Sequence, residues 1–138
     1  MNPQITDTIL VVDDEPQMIN LCKSILGMGG YDILPAGNGE EALRLLRDGT
    51  TGVQLALIDI MLPGMNGVEL ARRVQALRPG IKVVLMSGYG PAEVTKLAGE
   101  SSNFQVIWKP FRADSLLRMI ENVLKAPVLE SVDAATNA

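Results

Sequence analysis

The sequence predicts an α/β fold in which a parallel sheet is covered by helices on both faces. Short apolar runs alternate with segments whose apolar residues recur at helical spacing, five of each in strict order. The apolar runs are near-continuous, as expected of strands buried on both faces. Turn residues such as Gly27, Gly29, Gly30, Pro79 and Gly80 punctuate the connections.

The first strand is TILVVDD, residues 8 to 14, a β-rich apolar run that ends in two acids. Pro16 opens the first helix, with Met18, Leu21, Cys22, Ile25 and Leu26 predicted inward. YDILPA, 31 to 36, is a weaker strand, and Asn38 to Asp48 reads as a capped helix with Ala42, Leu45 and Leu46 inward. QLALID, 54 to 59, is the third strand, followed by a helix from Gly67 to Leu77. IKVVLMS, 81 to 87, is the fourth; a short helix begins at Pro91 and frays by Gly99. FQVIW, 104 to 108, is the fifth, and Ala113 to Lys125 forms an amphipathic helix through Leu116, Leu117, Ile120 and Leu124. After Pro127 the chain is small and polar, which reads as a disordered tail or truncated linker over 127–138.

Composition narrows the function. A chain of 138 residues with 47% hydrophobic side chains suits one compact domain. A formal charge of -4 argues against direct nucleic-acid binding or an anionic membrane as the main partner and favours a protein or a cation. Cys22 is the sole cysteine, so no internal disulfide forms, and a reducing, cytoplasmic setting fits. No run reaches membrane-spanning length, and MNPQITDT lacks the regions of a signal peptide. There is no histidine, which excludes Ser-His-Asp and Cys-His catalysis and His-ligated zinc. Chemistry here must use carboxylates, lysine, hydroxyls and backbone.

In parallel α/β sheets ligands bind beyond the carboxyl ends of the strands. The polar residues at those ends are Asp13, Asp14 and Glu15 after the first strand, Asp59 after the third, Ser87 after the fourth and Lys109 after the fifth. Each has a bland explanation when taken alone. Asp13 or Asp14 could cap the helix ahead of Pro16, Asp59 could make an Asx turn into the Pro63–Gly64 loop, Ser87 could be a turn residue and Lys109 a solvated lysine. Their convergence on one edge favours a shared site. An acid at the mouth of a buried strand, as Asp59 would be, is costly to leave unpaired. Clustered carboxylates suit Mg²⁺, a carboxylate is a competent nucleophile for an acyl phosphate, and a nearby amine and hydroxyl can bind phosphoryl oxygens. The set therefore suits phosphoryl transfer to Asp59, with Gly88 leaving room for the group to enter.

VVDDEP, LIDIMLPGMNGVEL, VVLMSGYG and WKPF, in this order and spacing, resemble the receiver domain of two-component response regulators over residues 7–126. The resemblance implies a flavodoxin-like, three-layer (βα)₅ fold with strand order 2-1-3-4-5. It also implies Asp59 as phosphoacceptor, Asp13 and Asp14 as the acidic pair around Mg²⁺, the Met61 backbone carbonyl as a further metal ligand, Ser87 as switch hydroxyl and Lys109 as the partner lysine. The implied donor is a phosphohistidine on a sensor histidine kinase or phosphotransfer domain, and a downstream protein target would read the result. An isolated receiver would catalyse only its own phosphorylation and dephosphorylation. Where many receivers carry Tyr or Phe three residues before the lysine, this chain has Val106.

SGYG and WKPF are similar to receivers attached to hybrid histidine kinases, so a stand-alone regulator and a receiver cut from a longer chain both stay open. Two other classes fit the sequence less well. A degenerate receiver acting as a phosphorylation-independent binding module conflicts with the intact acidic set. An aspartyl phosphatase of the haloacid dehalogenase type wants a second acid two residues after the nucleophile, where Met61 stands.

In receivers the residues two beyond the acceptor and two beyond the switch hydroxyl flank the path of the hydrolytic water. Here these are Met61 and Tyr89, and neither carries an acid or amide to orient it. Slow self-dephosphorylation is expected. The pair Met61→Asn and Tyr89→Glu should speed decay of the phosphorylated species about tenfold, the effect of one recovered hydrogen bond of roughly 1.4 kcal/mol. Decay after donor removal, measured side by side with wild type, checks this.

Overall fold

The computed structural model describes residues 7–49, 52–88, 90–98 and 104–126. Tyr89 and the 127–138 tail, both singled out from the sequence, lie outside the described residues. The elements run β1 (Thr8–Val12), α1 (Pro16–Met28), β2 (Asp32–Ala36), α2 (Gly39–Arg47), β3 (Val53–Asp59), α3 (Gly67–Leu77), β4 (Lys82–Ser87), α4 (Pro91–Ala98), β5 (Gln105–Trp108) and α5 (Ala113–Lys125). All strand pairs are parallel, in the order β2-β1-β3-β4-β5. This is the flavodoxin-like arrangement.

Successive side chains of a strand point to opposite faces, and the apolar runs use both. Ile9, Val11, Leu55, Leu57, Val84, Met86 and Ile107 face α1 and α5, packing with Cys22, Ile25, Leu26, Leu116 and Ile120. Leu10, Val12, Ala56, Ile58, Val83 and Leu85 face the other way, onto α2, α3 and α4, packing with Leu43, Leu46, Leu70, Val74 and Val94. Three layers result, and the central strands have no solvated face on which a polar residue could rest. Polar side chains are thereby displaced to the strand ends.

Local signals set the helix starts. Asn38 accepts a hydrogen bond from the Glu41 N–H at 2.8 Å while Glu41 Oε1 accepts from the Gly37 N–H at 2.8 Å, a reciprocal cap. Asn66 caps α3 through the Glu69 N–H at 2.9 Å. α1 starts directly at Pro16, whose missing N–H costs nothing at a helix start.

Two inward assignments need correction. Leu21 is 45% exposed, because at 3.6 residues per turn it lies off the arc defined by Cys22, Ile25 and Leu26. In α2 the centre of the buried face is Leu43, which the sequence reading passed over, and Leu45 is only half-buried at its edge. Leu117 and Leu124 of α5 are likewise half-buried, flanking the buried pair Leu116 and Ile120.

Cations from distant elements finish two helices. The Arg78 guanidinium donates to the Leu46 carbonyl in the last turn of α2 at 3.0 Å. Lys82, at the start of β4, donates to the Val123 carbonyl at 2.9 Å and to the Ala126 carbonyl at the end of α5. A positive charge there satisfies orphan carbonyls and complements the helix dipole. Lys82→Met should therefore cost about 1–2 kcal/mol, within the range for charged hydrogen bonds at a part-exposed site. Urea denaturation would read the loss, and amide exchange should quicken selectively in the last turn of α5.

Candidate functional site

The carboxyl ends of β1, β3, β4 and β5 meet at one edge of the sheet. Asp13, immediately after β1, is fully buried, and its N–H donates to the Ala36 carbonyl at 3.1 Å, continuing the ladder to β2. Asp59 closes β3 and is 6% exposed. Ser87 closes β4 and is 1% exposed. Lys109 follows β5, and its N–H donates to the Ser87 carbonyl at 2.7 Å, tying those two strand ends through the backbone.

Asp13 and Asp59 are held in the same way. One oxygen of each makes a local turn: Asp13 Oδ1 accepts the Glu15 N–H at 2.9 Å, and Asp59 Oδ1 accepts the Met61 N–H at 3.1 Å. The other oxygen faces the lysine, with Lys109 Nζ 3.3 Å from both Asp13 Oδ2 and Asp59 Oδ2. One oxygen of each acid thus serves its own local turn and the other meets the lysine, and Asp13 does not cap α1, which has no side-chain cap. Asp14 is exposed, and carboxylate oxygens of Asp13, Asp14 and Asp59 lie within 4.8 Å of one another.

Burial is the main influence on Asp59, raising its pKa above the ordinary aspartate value against the opposing pull of the Met61 N–H and the Lys109 charge. For Lys109 burial acts to lower the pKa, but the charges of Asp59 and Asp13 outweigh it and hold the ammonium above its usual value. The lysine is firmly protonated between two acids. Cys22 lies near enough to feel both charges; burial first, then Asp13, pushes its thiol up to about 11. It is an inert core thiol, as its helical setting suggests.

Glu15 does not join the cluster. It is exposed and serves as the residue ahead of α1, without a side-chain cap. Met61 is 50% exposed at the mouth of the site, two residues past Asp59 and tied to it through its N–H. Gly88 is exposed, and a side chain there would meet nothing within 4 Å. Val106 is half-buried against the core cluster that β-strand residues share with α2, α3 and α4. The Lys109–Pro110 peptide is cis.

The donor set fits a hard cation. Mg²⁺ takes oxygen ligands at about 2.0–2.1 Å in octahedral geometry, which puts ligand oxygens roughly 3–4 Å apart, close to the spread of these three carboxylates. One of them, Asp14, is free to adjust because it is exposed.

Residues 9–121 match the family model of the response regulator receiver domain. The chain belongs to that family. It is similar to sporulation initiation phosphotransferase F of Bacillus subtilis, at 28% identity over 87% of this chain and 95% of that protein. It is also similar to a cyclic di-GMP phosphodiesterase of Thermotoga maritima, at 30% identity over 86% of this chain. Among solved structures, a CheY-like receiver domain protein of Methanospirillum hungatei is 33% identical with a TM-score of 0.73, covering 86% of this chain and 94% of that one. The chain spans only 31% of the phosphodiesterase, and about half or less of several other curated relatives. This receiver is homologous to the phosphoacceptor domains of two-component systems, a family whose acidic pocket binds Mg²⁺. Among the described residues no helix is long and apolar enough to cross a membrane.

Removing the lysine should expose what it balances. Lys109→Met leaves two buried carboxylates facing each other, and loss of one partner of a buried ion pair costs about 3–5 kcal/mol, here nearer 2–3 because Lys109 is partly solvated. Without Lys109 the folded Asp59 pKa rises further above its unfolded value, so the penalty is full above that pKa and relieved as pH falls through it. Urea denaturation in a chelating buffer should find the variant much weaker than wild type at neutral pH and progressively closer to it as the pH is lowered. Added Mg²⁺ should restore more stability to the variant than to wild type.

Proposed function

We propose that Asp59 accepts a phosphoryl group from a phosphohistidine on a sensor histidine kinase or phosphotransfer domain, within a receiver unit spanning residues 7–126. The single observation that carries this is the position of Lys109 Nζ, 3.3 Å from an oxygen of each of the buried acids Asp59 and Asp13. A solvated lysine would not be held between two acids, and a purely structural pair would not need a third carboxylate, Asp14, beside it.

In the transfer, an Asp59 carboxylate oxygen attacks phosphorus in line with the phosphorus–nitrogen bond of the donor. That bond breaks, its electron pair stays on the imidazole, and an acyl phosphate forms on Asp59. Asp13, Asp14, Asp59 and the Met61 carbonyl would hold Mg²⁺, which supplies charge neutralisation to the phosphoryl oxygens. Lys109, already protonated, turns from a partner of the free carboxylate to a partner of the phosphoryl group without changing its charge state. The Met61 N–H keeps Asp59 oriented for attack. In this reading the Ser87 hydroxyl, at the end of β4, donates to a phosphoryl oxygen, and its position reports the presence of the group.

The lack of histidine makes the chain a recipient in this exchange, never the histidine donor. Its partners are accordingly a histidine-phosphorylated protein upstream and a protein target downstream, in the cytoplasm. Incubation with acetyl phosphate and Mg²⁺ followed by intact-mass analysis should show a phosphorylated wild type and an unmodified Asp59→Asn. Comparable phosphorylation of Asp59→Asn would reassign the acceptor.

A further inference from the structure

We infer that Gly67 is a positioning residue for Asp59, required at the start of α3 because no other residue leaves the acceptor backbone in place. A Cβ on Gly67 would lie 2.2 Å from the Asp59 carbonyl oxygen and 2.7 Å from the Ile60 Cα. Both are backbone atoms, which cannot swing aside as a side chain could. Gly67 is not among the glycines with positive φ, which are Gly30, Gly49, Gly52 and Gly64. Space, not conformation, makes this position demand glycine.

Its N–H donates to the Ile60 carbonyl at 2.8 Å, so helix and strand end are in direct contact with nothing between them. A methyl group there must displace one of the two. α3 is anchored by the buried side chains Val68, Leu70, Ala71 and Val74. Beyond the end of β3, Ile60 is held to the neighbouring strand by its N–H to the Met86 carbonyl at 3.0 Å. Ile60 is also buried in the core, and the Asp59 carbonyl, the group nearest the added methyl, takes the first displacement. Tilting the Asp59–Ile60 peptide moves the Asp59 carboxylate relative to Lys109 and strains the Met61 N–H bond to Asp59 Oδ1, which sets where the Met61 carbonyl points. Displacements of about 1 Å in a reacting group can cost on the order of 10²-fold in rate.

The inference rests on Asp59 as acceptor, and its test separates the two. Wild type, Gly67→Ala and Gly30→Ala are compared; Gly30 has a φ of 87° with nothing near its would-be Cβ, so Gly30→Ala adds backbone strain away from the site. Three measurements are made: the Met61 amide resonance in metal-free protein by NMR, Mg²⁺ affinity by calorimetry, and the phosphorylation rate with acetyl phosphate. Gly67→Ala should shift the Met61 resonance, weaken Mg²⁺ about tenfold or more as loss of a supporting contact does, and slow phosphorylation on the order of 10²-fold. Gly30→Ala should change none of these, even where its melting temperature falls as far. Wild-type values of all three in folded Gly67→Ala would overturn the inference. So would a Gly67→Ala protein that fails to fold even in trimethylamine N-oxide, since the wedge would then fall on α3 packing and not on the site. If wild type binds Mg²⁺ but takes no phosphate, the acceptor assignment fails, and Gly67 is judged on the resonance and the metal affinity.

Discussion

Two buried carboxylates with one ammonium between them form the constraint around which this receiver is organised. Asp13 and Asp59 sit at the ends of adjacent strands, where the sheet supplies little solvent to screen them, and Lys109 reaches both from the far side of β4. One lysine cannot neutralise three acids. The remaining negative charge suits a cation, the kind of ligand that the acidic pocket of this family binds. The charges of the site are therefore unbalanced by the fold itself, and it is a cation that would relieve the imbalance.

Strand order makes that arrangement possible. Crossing from β1 to β3 puts their two acids side by side, with β2 outside and β4 and β5 on the opposite flank. The two core clusters hold these strands from both faces, so the strand ends do not drift apart independently. The geometry of the charged cluster here comes from sheet packing more than from loop structure. Met61 and Asp14 are the exposed members of the set.

Much of this was legible in the sequence because buried parallel strands advertise themselves as continuous apolar runs, and a polar residue at the end of such a run has few reasons to be there. Asp13, Asp59, Ser87 and Lys109 were readable on that ground, and the structure brings them to one edge. Helix faces were less legible. Leu21 and Leu43 show that which leucine turns inward depends on a rotation of the helix that apolar spacing alone leaves loose when the stripe is broad. Glu15 was grouped with the acids by adjacency, yet the chain turns at Asp13 and carries Glu15 into solvent. Gly67 could be seen as a turn glycine but not as a contact, since the clash it avoids is with a residue eight positions away across a loop. The doubled role of each aspartate, one oxygen for its own turn and one for the lysine, also lies beyond what residue order can express.

The bond from the Lys109 N–H to the Ser87 carbonyl has a mechanical consequence. Ser87 closes β4 and Lys109 follows β5 at the site edge, and the main chain yokes them as one piece. A pull on either is felt by the other without any intervening rotamer. With a valine at position 106 there is no large ring to swing as a pointer, and the half-buried Val106 side chain is stiff about its first torsion. The tips of β4 and β5 are thus coupled through backbone, a lever and not a flap, so a displacement of one is shared by the other.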